Sequence, residues 1–145
     1  PRVEGHLKGA ETVRRTVTEC CKLGIGQLTL YCFSAENWKR PAAEVAFLMR
    51  LLKEYLLDER QLIQDENIRF AVIGRRDGIP ADVLDEMDAN VRLSERNTGL
   101  TLCLAINYGG RTELVDACRA LAERVRRGEL SPEQIDDDAI SGALY

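Results

Sequence analysis

Three short apolar runs, at residues 28–33, 68–73 and 100–106, alternate along the chain with longer segments whose apolar residues recur at helical spacing. Runs of this length cannot form helices of ordinary size, and connections this long suit crossovers between parallel strands. The alternation predicts an α/β fold, a parallel β-sheet with helices on its faces. The third run, Leu-Thr-Leu-Cys-Leu-Ala-Ile, is the cleanest strand. Leu100, Leu102 and Leu104 share one face, and the smaller Thr101, Cys103 and Ala105 share the other, a face suited to a closely packed helix. The first run reads as a buried strand over 27–33. Helices are expected over 5–23, 42–65, from Pro80 to about Arg96, and 112–127, with Leu114, Val115, Cys118, Leu121, Ala122 and Val125 facing inward on the last. The 42–65 segment is apolar on more than one stripe, so it should pack on two things. One is the sheet; the other is a core layer, a dimer partner or a lipid chain.

The polar stretch Phe33-Ser34-Ala35-Glu36-Asn37-Trp38-Lys39-Arg40-Pro41 lies between the first strand and the helix that Pro41 introduces. Open α/β sheets bind ligands outside the carboxyl ends of their strands, so this loop is a site candidate. The alternative is an ordinary connection whose polar residues cap and solvate. Asn107-Tyr108-Gly109-Gly110-Arg111 follows the third strand. Its glycines would let backbone amides approach a ligand, or would simply make a tight turn into the next helix. It matches neither GxGxxG nor a Walker A loop. Arg2 and His6 fall near a helix start, where free amides and the helix dipole favour an anion; a surface histidine is the plainer reading.

With 145 residues, 45% hydrophobic and 30% charged, the chain is one domain with a sizeable core. A net charge of −4 argues against nonspecific nucleic-acid binding, though a locally basic pocket could still hold an anion. Lysine occurs only at positions 8, 22, 39 and 53, and the other basic residues are arginines, which fork well onto diphosphate but mostly serve as surface charges. Five cysteines without a CxxC pair, and a single histidine, read as small core residues in a reducing compartment rather than a metal site. Asp136, Asp137 and Asp138 are consecutive, point in different directions and read as a solvated face. No apolar run reaches the length of a membrane span.

The FSAENWKRP stretch, with Arg2-Val3-Glu4-Gly5-His6 upstream and Asn107-Tyr108-Gly109-Gly110-Arg111 downstream, resembles the cis-prenyltransferases, the undecaprenyl diphosphate synthase family, over essentially the whole chain. The resemblance implies condensation of isopentenyl diphosphate with an allylic diphosphate to make a polyprenyl diphosphate, a lipid carrier such as undecaprenyl diphosphate. It puts Ser34 and Asn37 at the reacting centre, and Arg2, His6 and Arg40 on phosphate. Ala35, Glu36 and Trp38 join Ser34 in the substrate site, and the 42–65 helix lines a tunnel for the growing chain, where Ala46→Leu should shorten the product if that face meets the chain. Asn37 is often cast as the proton acceptor. A carboxamide is too weak a base for that, so orienting the substrate or relaying a proton with Ser34 is the better expectation. Glu36 and Glu44 could brace arginines or cap a helix, Glu44 the latter. The resemblance further implies Mg²⁺, a homodimer, and a cytoplasmic location with peripheral membrane contact for product release. The family's aspartate-bearing segment before Arg2, and its arginine-rich segment with a metal-binding glutamate after Tyr145, are absent. Residues 1–145 are therefore expected to be a single domain incomplete at both ends, without metal ligands of its own. The alternative function is a non-catalytic relative that scaffolds a catalytic partner; an intact FSAENWKRP favours the enzyme.

Overall fold

The computed structural model describes residues 2–145, and the side chains of residues 8, 9 and 11–145. In chain order the elements are α1 (Arg2–Lys22), β1 (Gln27–Ser34), a 3₁₀ turn (Ala35–Lys39), α2 (Ala42–Asp58), α3 (Arg60–Asp65), β2 (Arg69–Ile73), α4 (Ala81–Leu93), β3 (Thr101–Tyr108), α5 (Gly110–Arg126), a second 3₁₀ turn (Pro132–Gln134) and α6 (Asp137–Ser141). The three strands form one parallel sheet in the order β1-β3-β2. The strand with the longest apolar run takes the centre, where Leu104 stands opposite both Leu30 and Val72.

Leu102, Leu104 and Ile106 of β3 join Phe33, Phe70, Val17 of α1, Met49 and Leu56 of α2, Ile63 of α3, and Val83 and Met87 of α4 in the main core. Cys103 and Ala105, on the opposite face of β3, are also buried, as are Ala117 and Leu121 of α5. Both faces of the central strand are thus covered, which is why it reads as a nearly continuous apolar run instead of alternating.

The expected elements are all present, with four departures. β1 lies at the sheet edge and is only partly covered: Phe33 is buried but Tyr31 is 57% exposed. The register between β1 and β3 shifts after Tyr31, so Cys32 bulges out of the ladder and is exposed. Of the five cysteines, Cys103 is buried and Cys20 and Cys21 pack against the core, whereas Cys32 and Cys118 are exposed, so the core assignment fails for those two. On α5, Leu121 is buried, but Leu114, Val115, Cys118 and Ala122 face outward, because this helix meets the domain along an Ala117–Leu121 stripe.

The fourth departure is a break in the expected 42–65 helix. Glu59, with φ −88° and ψ 0°, separates α2 from α3. Polar partners from other elements converge there. Arg14 of α1 forks onto the Glu59 carboxylate. Asn90 of α4 donates from Nδ2 to the Leu56 carbonyl at 2.7 Å and accepts from Arg60 Nε at 2.8 Å. Asn90 is 1% exposed, so both ends of its carboxamide need partners, and the break supplies them.

The end of β2 depends on Gly74. Its φ of +111° lies in the region that side chains avoid, and a Cβ built there would overlap the Ile106 carbonyl oxygen of β3. Gly74→Ala should therefore destabilise the full-length protein by about 1–3 kcal/mol from backbone strain alone, with further loss from parting β2 and β3. A urea unfolding midpoint equal to that of the wild type would contradict this account.

Candidate active site

The carboxyl ends of the three strands bring together Ser34, the Gly74–Arg75 corner and the Asn107–Tyr108 pair. Ser34 stands opposite Tyr108 in the ladder, and the Arg75 amide donates to the Asn107 carbonyl at 3.3 Å. β1 runs straight into the 3₁₀ turn, for which Ser34 is the N-cap. The turn folds Asn37 back so that its Oδ1 accepts the Ser34 backbone N–H at 2.9 Å. That bond fixes the orientation of the carboxamide: its oxygen is engaged, and its NH₂ is the end left to act as a donor.

Trp38 is fixed by its neighbours. Its Nε1–H donates to Asn107 Oδ1 at 2.7 Å, and its ring meets Phe33 edge-on with centroids 5.0 Å apart. Gly78 lies against the other part of the indole, where an added Cβ would sit 3.5 Å from the ring. Asn107 in turn donates from Nδ2 to the Asp77 carbonyl at 3.0 Å. It holds a left-handed φ of +50°, which asparagine tolerates better than most residues. Ala35 approaches the next motif residue, since a Cβ on Gly109 would lie 3.5 Å from its own.

Glu36 is held below the usual glutamate range, first by its own backbone N–H, then by the Ser34 hydroxyl, with Lys39 and Arg111 adding attraction. Arg40 forms an ion pair with Glu44 one helical turn on. Glu44 thus braces an arginine, where capping was expected. Behind the loop, Arg75 forks onto Asp116 of α5 at 2.7 and 2.6 Å. That guanidinium, followed by the Tyr145 hydroxyl, holds the Asp116 carboxyl well below its usual range. The Tyr108 hydroxyl donates to Glu113 at 2.7 Å.

Two clefts open below this cluster on opposite flanks of α2. One, of about 290 Å³, lies toward α1 and β1 and is lined by Val13, Leu30, Phe33, Leu48, Leu52 and Tyr55, among others. The other, of about 780 Å³, lies toward α4; Trp38, Ala46, Met49 and Val83 are in its wall, and Arg40, Arg50 and Lys53 also line it. Ala46 therefore faces α4, away from the cleft between α1 and α2.

All 145 residues match the family model described as "Putative undecaprenyl diphosphate synthase". The chain belongs to that family. An isoprenyl transferase of Rhodopirellula baltica is 48% identical over 144 residues, covering 99% of this chain and 59% of the relative. The lavandulyl diphosphate synthase of Lavandula x intermedia, solved in complex with dimethylallyl diphosphate, superposes with a TM-score of 0.94 at 34% identity, over 97% of this chain and 61% of that one. A "probable undecaprenyl diphosphate synthase" of Campylobacter jejuni gives 0.79 at 28% identity, over 94% and 62%. The chain thus spans about three fifths of the length of these relatives.

Of the residues singled out for the undecaprenyl diphosphate synthase family's site, Ser34, Ala35, Glu36, Asn37 and Trp38 gather on one turn, and Trp38 and Ala35 meet the Asn107–Gly110 segment. Arg40 is turned toward Glu44 at the edge of the larger cleft. Arg2 and His6 belong to α1, which starts earlier than expected, and their side chains lie outside the described residues. Among the described residues, no group of three or more His, Cys, Asp or Glu comes together as a metal site, so the implied magnesium finds no ligand set in them. No described helix is long and apolar enough to cross a membrane. Sequence reasoning missed Asn107 as the hub under Trp38, and missed the Arg75–Asp116 pair entirely. An Asn between an apolar strand and a Gly-Gly pair is the signal for the first; nothing local marks the second, whose partners are 41 residues apart.

Asn107 is 6% exposed, and its carboxamide serves two partners. Asn107→Ala leaves the indole N–H and the Asp77 carbonyl unpaired, and should cost about 1–3 kcal/mol per buried group that stays unsatisfied. The fluorescence of the single tryptophan should shift to the red in the folded variant, reporting a loosened loop. An unchanged spectrum together with an unchanged melting temperature would rule out the hub.

Proposed function

We propose that this domain carries the reacting-centre loop of a cis-prenyl chain-elongating transferase, which condenses isopentenyl diphosphate with an allylic diphosphate to build a polyprenyl diphosphate such as an undecaprenyl carrier. The observation that carries the reading is an intact FSAENWKRP stretch at the carboxyl ends of the strands, with its Phe33 in the wall of an apolar cleft, in a chain matched throughout by the family. The allylic substrate class is supported by the bound dimethylallyl diphosphate of the lavender relative. An accessory scaffold has no need to keep this turn. In this reading the full protein is a homodimer in the cytoplasm with peripheral membrane contact, and takes magnesium through segments outside residues 1–145.

The reaction breaks the allylic C–O bond, forms a C–C bond to the alkene carbon of isopentenyl diphosphate, and removes one proton from the condensing unit. The departing diphosphate takes that proton in the end. Most of the gain comes from holding the two carbons in line. The turn suits that task. Asn37 offers N–H donors while its oxygen is tied to Ser34, so it orients an anionic substrate and does not itself take the proton. The Ser34 hydroxyl, which helps hold Glu36 below the usual glutamate range, would relay one in this reading. Arg40, released from Glu44, would neutralise a diphosphate, as would Arg2 and His6.

Asn37→Asp separates capping from donation, because the carboxylate can still accept the Ser34 N–H. It removes the NH₂ donor and adds repulsion toward diphosphate. Both Asn37→Asp and Asn37→Ala should lower turnover by about 10²–10³-fold, the cost of one preorganised donor at the reacting centre, with smaller changes in KM for the primer. Steady-state kinetics with circular dichroism as the folding control checks this, and turnover near that of wild type in Asn37→Ala would remove Asn37 from the mechanism.

The cleft between α1 and α2 is the path this reading gives the growing chain. Leu52→Phe, which fills it, should shorten the product. Ala46→Leu, on the far flank of α2, should leave product length unchanged. Chromatography of the products decides, and equal lengths from Leu52→Phe and wild type would take the chain out of this cleft.

A further inference from the structure

We propose that the Arg14–Glu59 ion pair is a latch that closes the lower end of the cleft between α1 and α2 and so limits how far a growing hydrocarbon chain extends. The inference rests on the reading of that cleft as the prenyl channel. The cleft follows α2 from Leu48 to Tyr55, with Val13 of α1 and Leu30 of β1 across from it. Beyond it lies a second recess, lined by Glu11, Arg14, Glu54, Asp58 and Glu59. The two share Leu51 and Tyr55 as a common wall. Polarity therefore changes from hydrocarbon to mostly ionised groups across two side chains.

The pair itself is well formed. Arg14 Nε donates to both Glu59 oxygens at 2.9 and 3.0 Å, and Nη2 donates to Oε1 at 2.6 Å. The Glu59 side chain is 8% exposed and that of Arg14 is 57% exposed, so the carboxylate is the inner half of the latch. It ties α1 to the junction between α2 and α3, where the Leu56 carbonyl accepts from the Asn90 side chain. Burial, and then the nearby Glu59 charge, push the Tyr55 phenol upward, so the wall carries a neutral hydroxyl at any working pH. With the latch closed, a chain reaching Tyr55 meets a fixed wall with charges behind it. With the latch open, α1 and the end of α2 can part and let the chain continue between them.

The test is product length in the full-length protein, supplied with isopentenyl diphosphate and dimethylallyl, geranyl or farnesyl diphosphate, whichever the wild type extends. Arg14→Gln, Glu59→Gln and the double variant should each shift the products to longer chains, and by the same amount, since a pair acting as a unit is lost once. Arg14→Lys, which keeps the charge, should fall between these and wild type. A clamp that served stability alone would lower the melting temperature and leave product length untouched, and that result overturns the latch. If Glu59→Gln fails to fold, Arg14→Gln, altering the exposed partner, decides alone: folded, active and of wild-type product length, it overturns the proposal. Unchanged products in Leu52→Phe, or a wild type that elongates no allylic diphosphate, overturn the channel reading and the latch with it. Wild-type lengths in the latch variants beside shortened products in Leu52→Phe overturn the latch only.

Discussion

Both ends of one buried carboxamide hold the upper part of this domain together. Asn107 takes the Trp38 indole proton on its oxygen and gives a proton from its nitrogen to the Asp77 carbonyl, while its own carbonyl accepts the Arg75 amide. The 3₁₀ turn after β1, the corner after β2 and the end of β3 are three separate stretches of chain, and this residue is bonded to each. A carboxylate would lose the donor, and an aliphatic side chain would lose both. The left-handed φ of +50° aims the side chain between the other two segments. With Trp38 fixed in this way, the turn that carries Ser34 and Asn37 has little freedom, and the Ser34–Asn37 bond removes what is left.

Much of the fold was legible because its signals are periodic and local. The apolar run at 100–106 named the central strand, and Gly24, Gly74 and Gly128 all take positive φ where helices or strands end. The misreadings share a cause: they depend on partners distant in sequence. β1 has as apolar a sequence as a buried strand, but its exposure follows from its place at the sheet edge, which composition does not encode. The 42–65 pattern continues through Glu59 without a Gly or Pro, because the break is made by Arg14 and by the Asn90 and Arg60 side chains. Pro41 and Pro80 did mark helix starts, each one position earlier than the first helical turn. At the site, the nine-residue turn stood out through its chemistry, while Asn107 looked like part of a turn until its partners were visible.

The arginine-rich composition also has a structural explanation. Arg14, Arg40, Arg60, Arg75, Arg76, Arg126 and Arg127 all pair with carboxylates, and several do so with both nitrogens of the fork. The planar guanidinium favours that two-point geometry, which an ammonium cannot copy. Most such pairs on a surface contribute little. Arg14–Glu59, Arg60–Glu86 and Arg75–Asp116 differ, because each joins separate elements and its carboxylate is substantially covered. An abundance of arginine in the sequence is therefore poor evidence for a diphosphate site.

The apolar pattern of α2 had three explanations from sequence: a core layer, a partner or a lipid chain. The structure divides that pattern between a core and two clefts. Only Met49 and Leu56 of α2 are fully buried; Leu48, Leu52 and Tyr55 line the cleft toward α1, and Val45 and Ala46 line the one toward α4. Met49 lies in the walls of both, so a single side chain separates them there. The two flanks differ in what surrounds the apolar floor. Toward α4, Arg40, Arg50, Lys53 and Asp82 line the cleft, and an exposed groove edged in this way stays solvated. Toward α1, the described residues that line the cleft are all uncharged, and charged ones follow only beyond the wall formed by Leu51 and Tyr55. Apolar surface without polar edges is costly to leave in water, about 25 cal/mol for each Å² exposed. That cost is what a hydrocarbon entering the cleft, as proposed above, would relieve, and it would account for the apolar residues that α2 keeps on a face the core does not use.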